Sequence, residues 1–303
     1  MKNLWRYTKR DKYLLLMMLP GIAYFIVFQY LPLYGIIIAF KDFSVGKGIT
    51  GSPWITPLFK HFDQFFGSYY FGRLLRNTFL ISVYSLVWGF PLPIIFALAL
   101  NELKPGLFKK TIQTISYMPH FISTVVVAGL MINVLSPSNG LVNNIIASLG
   151  GKRIAFLQET SWFRSIYVGS GVWQGFGWGS IIYLAALSGI DPQLYEAAKL
   201  DGAGRWKQMW HVSLPGISNT IIILLIMNLG NMLRVGYEKL ILLYSTSVYE
   251  VGDVISTYVY RSGLLDKQYS FASAVGLFNS VVSLVLLITF NRLSKKVSEV
   301  SIW

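Results

Sequence analysis

The chain has 303 residues, 54% hydrophobic and only 13% charged, with a mean hydropathy of +0.53. That leaves too little polar surface for a soluble domain of this size and makes the chain a polytopic membrane protein. The formal net charge of +13 is then a matter of loop lysines and arginines that orient the chain and meet anionic headgroups, not of nucleic acid, and the lack of Cys excludes disulfides, thiol nucleophiles and Cys-ligated metals.

About 20 apolar residues in a helix cross a bilayer. Six segments meet that length or approach it: 14–40, 77–100, 115–135, 166–190, 217–233 and 270–291. The first follows a basic start (Lys2, Arg6, Lys9, Arg10, Lys12). It is too long for a signal-peptide core and no small-x-small cleavage site follows, so it reads as an uncleaved first helix. All 26 Lys and Arg fall outside the six segments. With the N-terminus inside, the inner stretches (1–13, 101–114, 191–216, 292–303) hold 14 of them and the longer outer stretches (41–76, 136–165, 234–269) hold 12. The bias favours cytoplasmic N- and C-termini. The expected organisation is a cytoplasmic segment 1–13, a first transmembrane helix 14–40, a core 77–291 with a cytoplasmic loop 191–216, and a cytoplasmic tail 292–303.

Apart from His120, in ISYMPHF, the spans carry no charged or basic side chain. Proton-coupled transporters commonly place ionisable groups in mid-membrane and voltage sensors place spaced arginines there, and neither pattern is present. His120 follows Pro119 and reads first as a residue at a helix bend. Span four, GSGVWQGFGWGS, repeats glycine at 171, 175 and 179, one helix face suited to close backbone approach. On the same span Trp173, Gln174, Trp178 and Tyr183 could stack on a sugar ring and bond its hydroxyls. Asn228 and Asn231, three apart on span five, either contact a neutral polar solute or join helices. These six form the candidate solute path.

No catalytic or nucleotide motif is visible. Gly46-Lys47 and Gly151-Lys152 lack the upstream Gly and the following Ser or Thr of a P-loop, and no HExxH, GxSxG or close carboxylate pair occurs. The chain is expected not to be an enzyme and to bind no metal or cofactor.

Between spans four and five lies EAAKLDGAGRWKQMWHVSLP (196–215). Asp191 is a good N-cap with Pro192 at the first helical position. A short helix QLYEAAKL should follow, turned by Asp201-Gly202, and a second helix should start near Gly204 and end at Pro215. The smooth face of Ala197 and Ala198 suits a protein partner. Equally, Trp206 and Trp210 suit an interfacial helix lying on lipid.

The spacing Glu-Ala-Ala, three residues, Gly, nine residues, a branched apolar residue, one residue, Leu-Pro resembles the cytoplasmic EAA signature of ABC importer permeases. The matching residues are Glu196, Ala197, Ala198, Gly202, Val212, Leu214 and Pro215, with Val212 where the family usually has Ile. LPGIAYFIVFQYLPLYGIIIAFKDF, RNTFLISVYSLVWGFPLPIIFALALNE, QTISYMPHFIS, GIDPQLYEAAKLDGAGRWKQMWHVSLPGI and YEVGDVISTYVYRSGL resemble the LplB-like branch of carbohydrate-uptake permeases, in the maltose-type group. The resemblance implies an all-α, six-helix, type I (MetI-like) importer permease fold in the cell membrane. It implies an oligosaccharide as solute. The implied partners are a second, similar permease (a heterodimer), two ATPase subunits that use ATP and Mg, and an extracellular solute-binding lipoprotein. It further implies that Glu196, Ala197, Ala198, Asp201, Gly202, Ala203, Leu214 and Pro215 form the ATPase-coupling segment, with Glu196 its polar contact. The competing class is a secondary transporter or channel for a small neutral solute, working without an ATPase. A scaffold protein with no solute path is a third.

Overall fold

A computed structural model describes residues 12–298. The basic residues Lys2, Arg6, Lys9 and Arg10 and the end of the predicted tail lie outside the described residues. Among those described, the secondary structure is helical, and the one β-bridge is an isolated pair, Lys41 and Trp54.

The chain divides into two compact units. The first joins, among the described residues, 12–68 to 261–278. It opens with α1, Lys12–Phe25, which runs on through a π-turn at Ile26–Tyr30 and a 3-10 stretch to Phe40. No residue of α1 or of the π-turn is buried. The segment after it is ordered by polar and aromatic contacts. Lys41 Nζ donates to the carbonyls of Ile49 (2.7 Å) and Ser52 (3.0 Å) and sits over the Trp54 ring, while Phe65 is fully buried and meets the rings of Phe271 and Phe278 edge-on.

The second unit, 69–260 with 279–303, holds the candidate site. Its helices are α2 (Phe71–Gly89), α3 (Pro91–Asn101), α4 (Leu107–Tyr117), α5 (Thr124–Val134), α6 (Leu141–Ser148), α7 (Thr160–Ser188), α8 (Pro192–Leu200), α9 (Arg205–Gln208), α10 (Ser218–Gly230), α11 (Tyr237–Leu243) and α12 (Ile255–Tyr260). The last helix, α13 (Tyr269–Ser298), begins in the first unit and ends in the second.

By length and composition, three helices can cross a membrane: Lys12–Phe40, Phe71–Asn101 and Tyr269–Lys296. Two bent pairs raise this to five: Leu107–Phe121 with Thr124–Val134, bent by 100°, and Arg205–Gly216 with Ser218–Gly230, bent by 60°. The predicted third span, 115–135, is therefore not one straight helix. Pro119 lies in a 3-10 turn at Met118–Phe121, and Ser123 then caps α5 by accepting from the Val126 amide (3.4 Å). His120 stands in that turn, at the bend the sequence suggested. The predicted fourth span corresponds to α7, which at 29 residues is long enough but is not among the sufficiently apolar helices. Its glycines, serines and Gln174 lower its hydropathy. It can afford them because α7 is the helix around which the unit packs, touching α2, α3, α4, α10 and α11.

Two apolar clusters hold this unit together, and α7 belongs to both. Near its start, Phe163 packs with Ile81, Ala128, Leu240, Leu243, Val248 and Val254; near its end, Tyr183 and Leu187 pack with Ile94, Ala97, Leu98 and Ile217. A buried polar network supports the first cluster. Asp253, with no exposed surface, accepts from Thr257 Oγ1 (2.8 Å) and lies 3.4 Å from Arg73 Nη2. Asn77 donates to the Glu250 and Asp253 carbonyls (2.9 Å each) and accepts from Arg164 Nη2 (2.7 Å). Buried charge is tolerated only when paired and hydrogen-bonded. The GDVIST stretch meets that condition by drawing on α2 and α7 at once.

Candidate functional site

Between the two clusters, α7 forms the wall of a cavity of about 490 Å³. Its lining includes Ser85, Phe90, Tyr167, Gln174, Tyr183, Asn228 and Lys239, together with Gly171, Gly175 and Gly179. The volume is that of a small-molecule site. A second cavity of about 330 Å³ adjoins it, sharing Ser85, Phe90, Tyr167 and Asn228 and adding Asn231 and Arg234.

The glycine face of span four lines a cavity at Gly171 and Gly175 and makes the close helix contact its spacing suggested at Gly179, where a methyl group would lie 3.3 Å from Pro93 Cγ on α3. A methyl group at Gly175 would meet nothing within 4 Å, and at Gly171 the nearest atom would be Lys239 Nζ at 3.5 Å. A still closer approach is made by Gly177, off that face. There a methyl group would lie 2.5 Å from the Ser116 carbonyl carbon and closer still to its oxygen. The same helix therefore uses its small residues twice, to open a space on one side and to admit α4 on the other.

Of the six candidate solute-path residues, the structure brings four to the two cavities. Gln174 lines the larger one, its Nε2 donating to the Ile122 carbonyl (2.8 Å), and Tyr183 lines it almost wholly buried. Asn228 lines both and Asn231 the smaller; each donates to the carbonyl four residues back, Leu224 (2.7 Å) and Met227 (3.0 Å). Trp173 and Trp178 are not in either lining. Trp178 is stacked on His120, rings 4.6 Å apart and 1° from parallel, with Phe121 edge-on at 5.4 Å. Sequence reasoning passed over Ser85, Tyr167 and Lys239, which stand on three separate elements with no motif to join them.

Lys239 stands on α11, a short helix in the connection between α10 and α13 and outside the spanning helices. Its Nζ donates to the Tyr167 carbonyl (3.1 Å) and lies 5.0 Å from the centre of the Tyr167 ring. Burial pulls its pKa down from the usual 10.5 to about 8, since desolvation disfavours the charged form.

The segment after α7 is built by local rules. Asp191 caps α8 by accepting from the Gln193 amide (2.9 Å), with Pro192 at the first position. The helix ends in a Schellman turn. Gly202 takes a φ of +75°, its amide bonds the Lys199 carbonyl (3.0 Å), and the Ala203 amide bonds the Ala198 carbonyl (2.9 Å). Tyr195 and Ser213 share a hydroxyl bond (2.9 Å) that ties α8 to the strand of helix that follows. Glu196, Ala197, Asp201 and Gly202 are exposed, Ala198, Ala203 and Leu214 are half-buried, and Pro215 is exposed. Leu194 and Leu200 are exposed as well, Leu200 to 90%.

The second helix starts at Arg205 as expected but does not end at Pro215. It widens into a π-turn at Met209–Ser213 and carries Pro215 inside the next turn, and the 60° break comes at Ile217. Proline lacks an amide hydrogen, so the wider turn removes the need for the bond Pro215 cannot make. Trp206 and Trp210, with Ile95, Leu98 and Leu214, line an apolar groove of about 520 Å³.

Among the described residues this is an all-helical membrane protein in which a short exposed helix, α8, stands between α7 and the apolar α10. Residues 89–299 match the family of binding-protein-dependent transport system inner membrane components, and the chain belongs to that family. It is 46% identical to the polygalacturonan/rhamnogalacturonan transport system permease protein YteP of Bacillus subtilis, over 97% of this chain and 91% of that protein. It is 43% identical to the protein LplB of the same organism, over 96% and 91%. Among solved structures, it superposes with a TM-score of 0.89 on a chain of a bacterial ABC transporter involved in import of the acidic polysaccharide alginate. That chain is 46% identical, with 98% of this chain and 99% of that one covered. A second structure of an alginate ABC transporter, in complex with an alginate pentasaccharide-bound periplasmic protein, matches with a TM-score of 0.89 at 44% identity.

Proposed function

We propose that this chain is the permease subunit of an ATP-driven, binding-protein-dependent importer of oligosaccharides, and that α8 couples closure of the ATPase to alternating access. The single observation that carries the reading is α8 itself: a charged, exposed helix, fixed at both ends by local caps, standing between α7 and the bent apolar pair that follows and joined to that pair by the Tyr195–Ser213 bond. A lipid-lying helix would turn its apolar side chains one way, whereas α8 exposes Leu194, Glu196, Ala197 and Leu200 together, a surface suited to a protein cleft.

In this reading α7 counts as a sixth span, both termini are cytoplasmic, and the working assembly holds a second permease, two ATPase subunits and an extracellular binding protein. ATP and Mg belong to the ATPase subunits and no cofactor to this chain. ATP-driven closure pushes α8, and the helices that follow tilt so that the cavity of α7 opens to one side and then the other. The chain supplies different contacts to two states, and that difference is all that coupling requires. Glu196→Lys is expected to abolish solute-stimulated ATPase activity of the assembled complex while leaving membrane insertion intact. Full coupling in that variant would refute the docking role.

A further inference from the structure

Lys239 is an anomaly in this cavity. A lysine ammonium has three donors, and one is used here, on the Tyr167 carbonyl, which already accepts from Ser170 Oγ at 3.0 Å. Among the described residues no carboxylate lies within ion-pairing distance of it. Neither cavity lining includes an Asp or a Glu, and the only other charge lining them is a second cation, Arg234. Gly171 leaves the space beside Nζ open, since even a methyl group there would only reach ordinary contact with it. A partly buried cation without a counter-ion costs desolvation energy that packing alone does not return. A cation held this way in a cavity lining fits an anionic solute.

We propose that Lys239 selects for negatively charged cargo: its ammonium, supported by Arg234 in the adjoining cavity, binds the carboxylate of a uronate-bearing oligosaccharide as the sugar passes α7. This rests on the reading of the chain as an oligosaccharide permease and adds to it the charge of the solute and the residue that reads it. Gln174 and Asn228, in the same lining, offer amides to the hydroxyls. Tyr167 holds the ammonium from below through its carbonyl and ring face. The site is charged below about pH 8 and loses its charge as pH rises through that value. Of the elements packed on α11, α5 carries no titratable side chain, α7 carries Arg164, Tyr167 and Tyr183, and α12 carries Tyr258 and Tyr260. Within α11, Glu238 and Tyr237 precede the lysine. None of those packed elements carries an Asp or a Glu.

The test uses the full importer in proteoliposomes, with its binding protein and a mixed pool of neutral and uronate-bearing oligosaccharides from polysaccharide digests; mass spectrometry reads what accumulates. The wild type is expected to accumulate uronate-bearing sugars. Lys239→Gln should lower their uptake roughly tenfold or more, the usual worth of a lost charge-assisted bond, and leave neutral members within about twofold. Lys239→Arg, which keeps the charge, should retain most uptake of the acidic sugars. Equal loss of both classes in Lys239→Gln would make the lysine a packing clamp on Tyr167 and overturn the proposal, as would unchanged uptake or a wild type that imports only neutral sugars. Import of no sugar at all would instead sink the oligosaccharide reading on which the proposal stands. A second arm needs no variant. In the wild type the ratio of acidic to neutral uptake should fall as pH is raised from about 7 to about 9, because uronates stay ionised while Lys239 does not. A flat ratio would overturn the proposal even where Lys239→Gln fails to assemble.

Discussion

Gly202→Ala isolates the geometry of the coupling helix from its surface. Gly202 has a φ of +75°, and a methyl group there would meet nothing within 4 Å. The substitution therefore adds no clash; it adds only the left-handed strain of an L-residue, about 1–2 kcal/mol. A few tenths to 1 kcal/mol returns through the stiffer unfolded chain, but that gain does not act on the local choice between a closed and an open turn. Reopening the turn gives up the Gly202–Lys199 and Ala203–Ala198 backbone bonds, both on an exposed segment where water takes their place. A net bias of about 1 kcal/mol lowers the closed-to-open ratio of the turn roughly fivefold. Solute-stimulated ATPase activity of the whole complex should fall by up to that factor, with basal activity and the amount of assembled complex unchanged. Gly202→Asn is the control, since Asn tolerates this conformation, and it should stay within about twofold of wild type. If Ala and Asn behave alike, whether both active or both impaired, the turn is not what sets coupling and the reasoning fails.

Two further outcomes follow from the packing. Gly177→Ala drives a methyl group into the Ser116 backbone, where no flexible side chain can yield; it should destabilise the folded subunit by about 1–3 kcal/mol, read as a lower midpoint in heat-induced aggregation in detergent, whereas Gly175→Ala, facing open space, should leave the midpoint unchanged. Asp253→Asn removes the buried charge that Thr257 and Arg73 share, and should cost about 3 kcal/mol or more, with protease sensitivity appearing first around the turn of residues 249–254.

The candidate site was partly legible in the sequence because part of it is local. Hydropathy over some 20 residues exposes a spanning helix without reference to its neighbours. The caps of α8 are read within ten residues: Asp191 before Pro192 at one end and Asp201-Gly202 at the other, since each closes hydrogen bonds to amides or carbonyls a few positions away. The EAA spacing sits on that same segment, so the family could be inferred from it. The Leu-Pro end of the segment was legible to within a residue or two, the break falling at Ile217, but the π-turn of Met209–Ser213 before it was not.

The cavity is a different kind of object. Ser85, Tyr167, Asn228 and Lys239 come from four helices spread between residues 71 and 243, and no periodicity on any one of them announces the others. Span four carried two sets of small residues with similar local character. Only the neighbours decided that Gly171 and Gly175 face a space, that Gly179 abuts Pro93 and that Gly177 faces the backbone of α4. Trp178 looked like a sugar platform, and the structure stacks His120 on one of its faces. Composition, span hydropathy and the capped loop between α7 and α10 were thus determined by sequence alone, because short-range hydrogen bonding and transfer to lipid act on each segment separately. Which polar side chains meet across a cavity, and which lysine is left there without a carboxylate, was decided by tertiary packing, because those distances exist only once the helices have assembled.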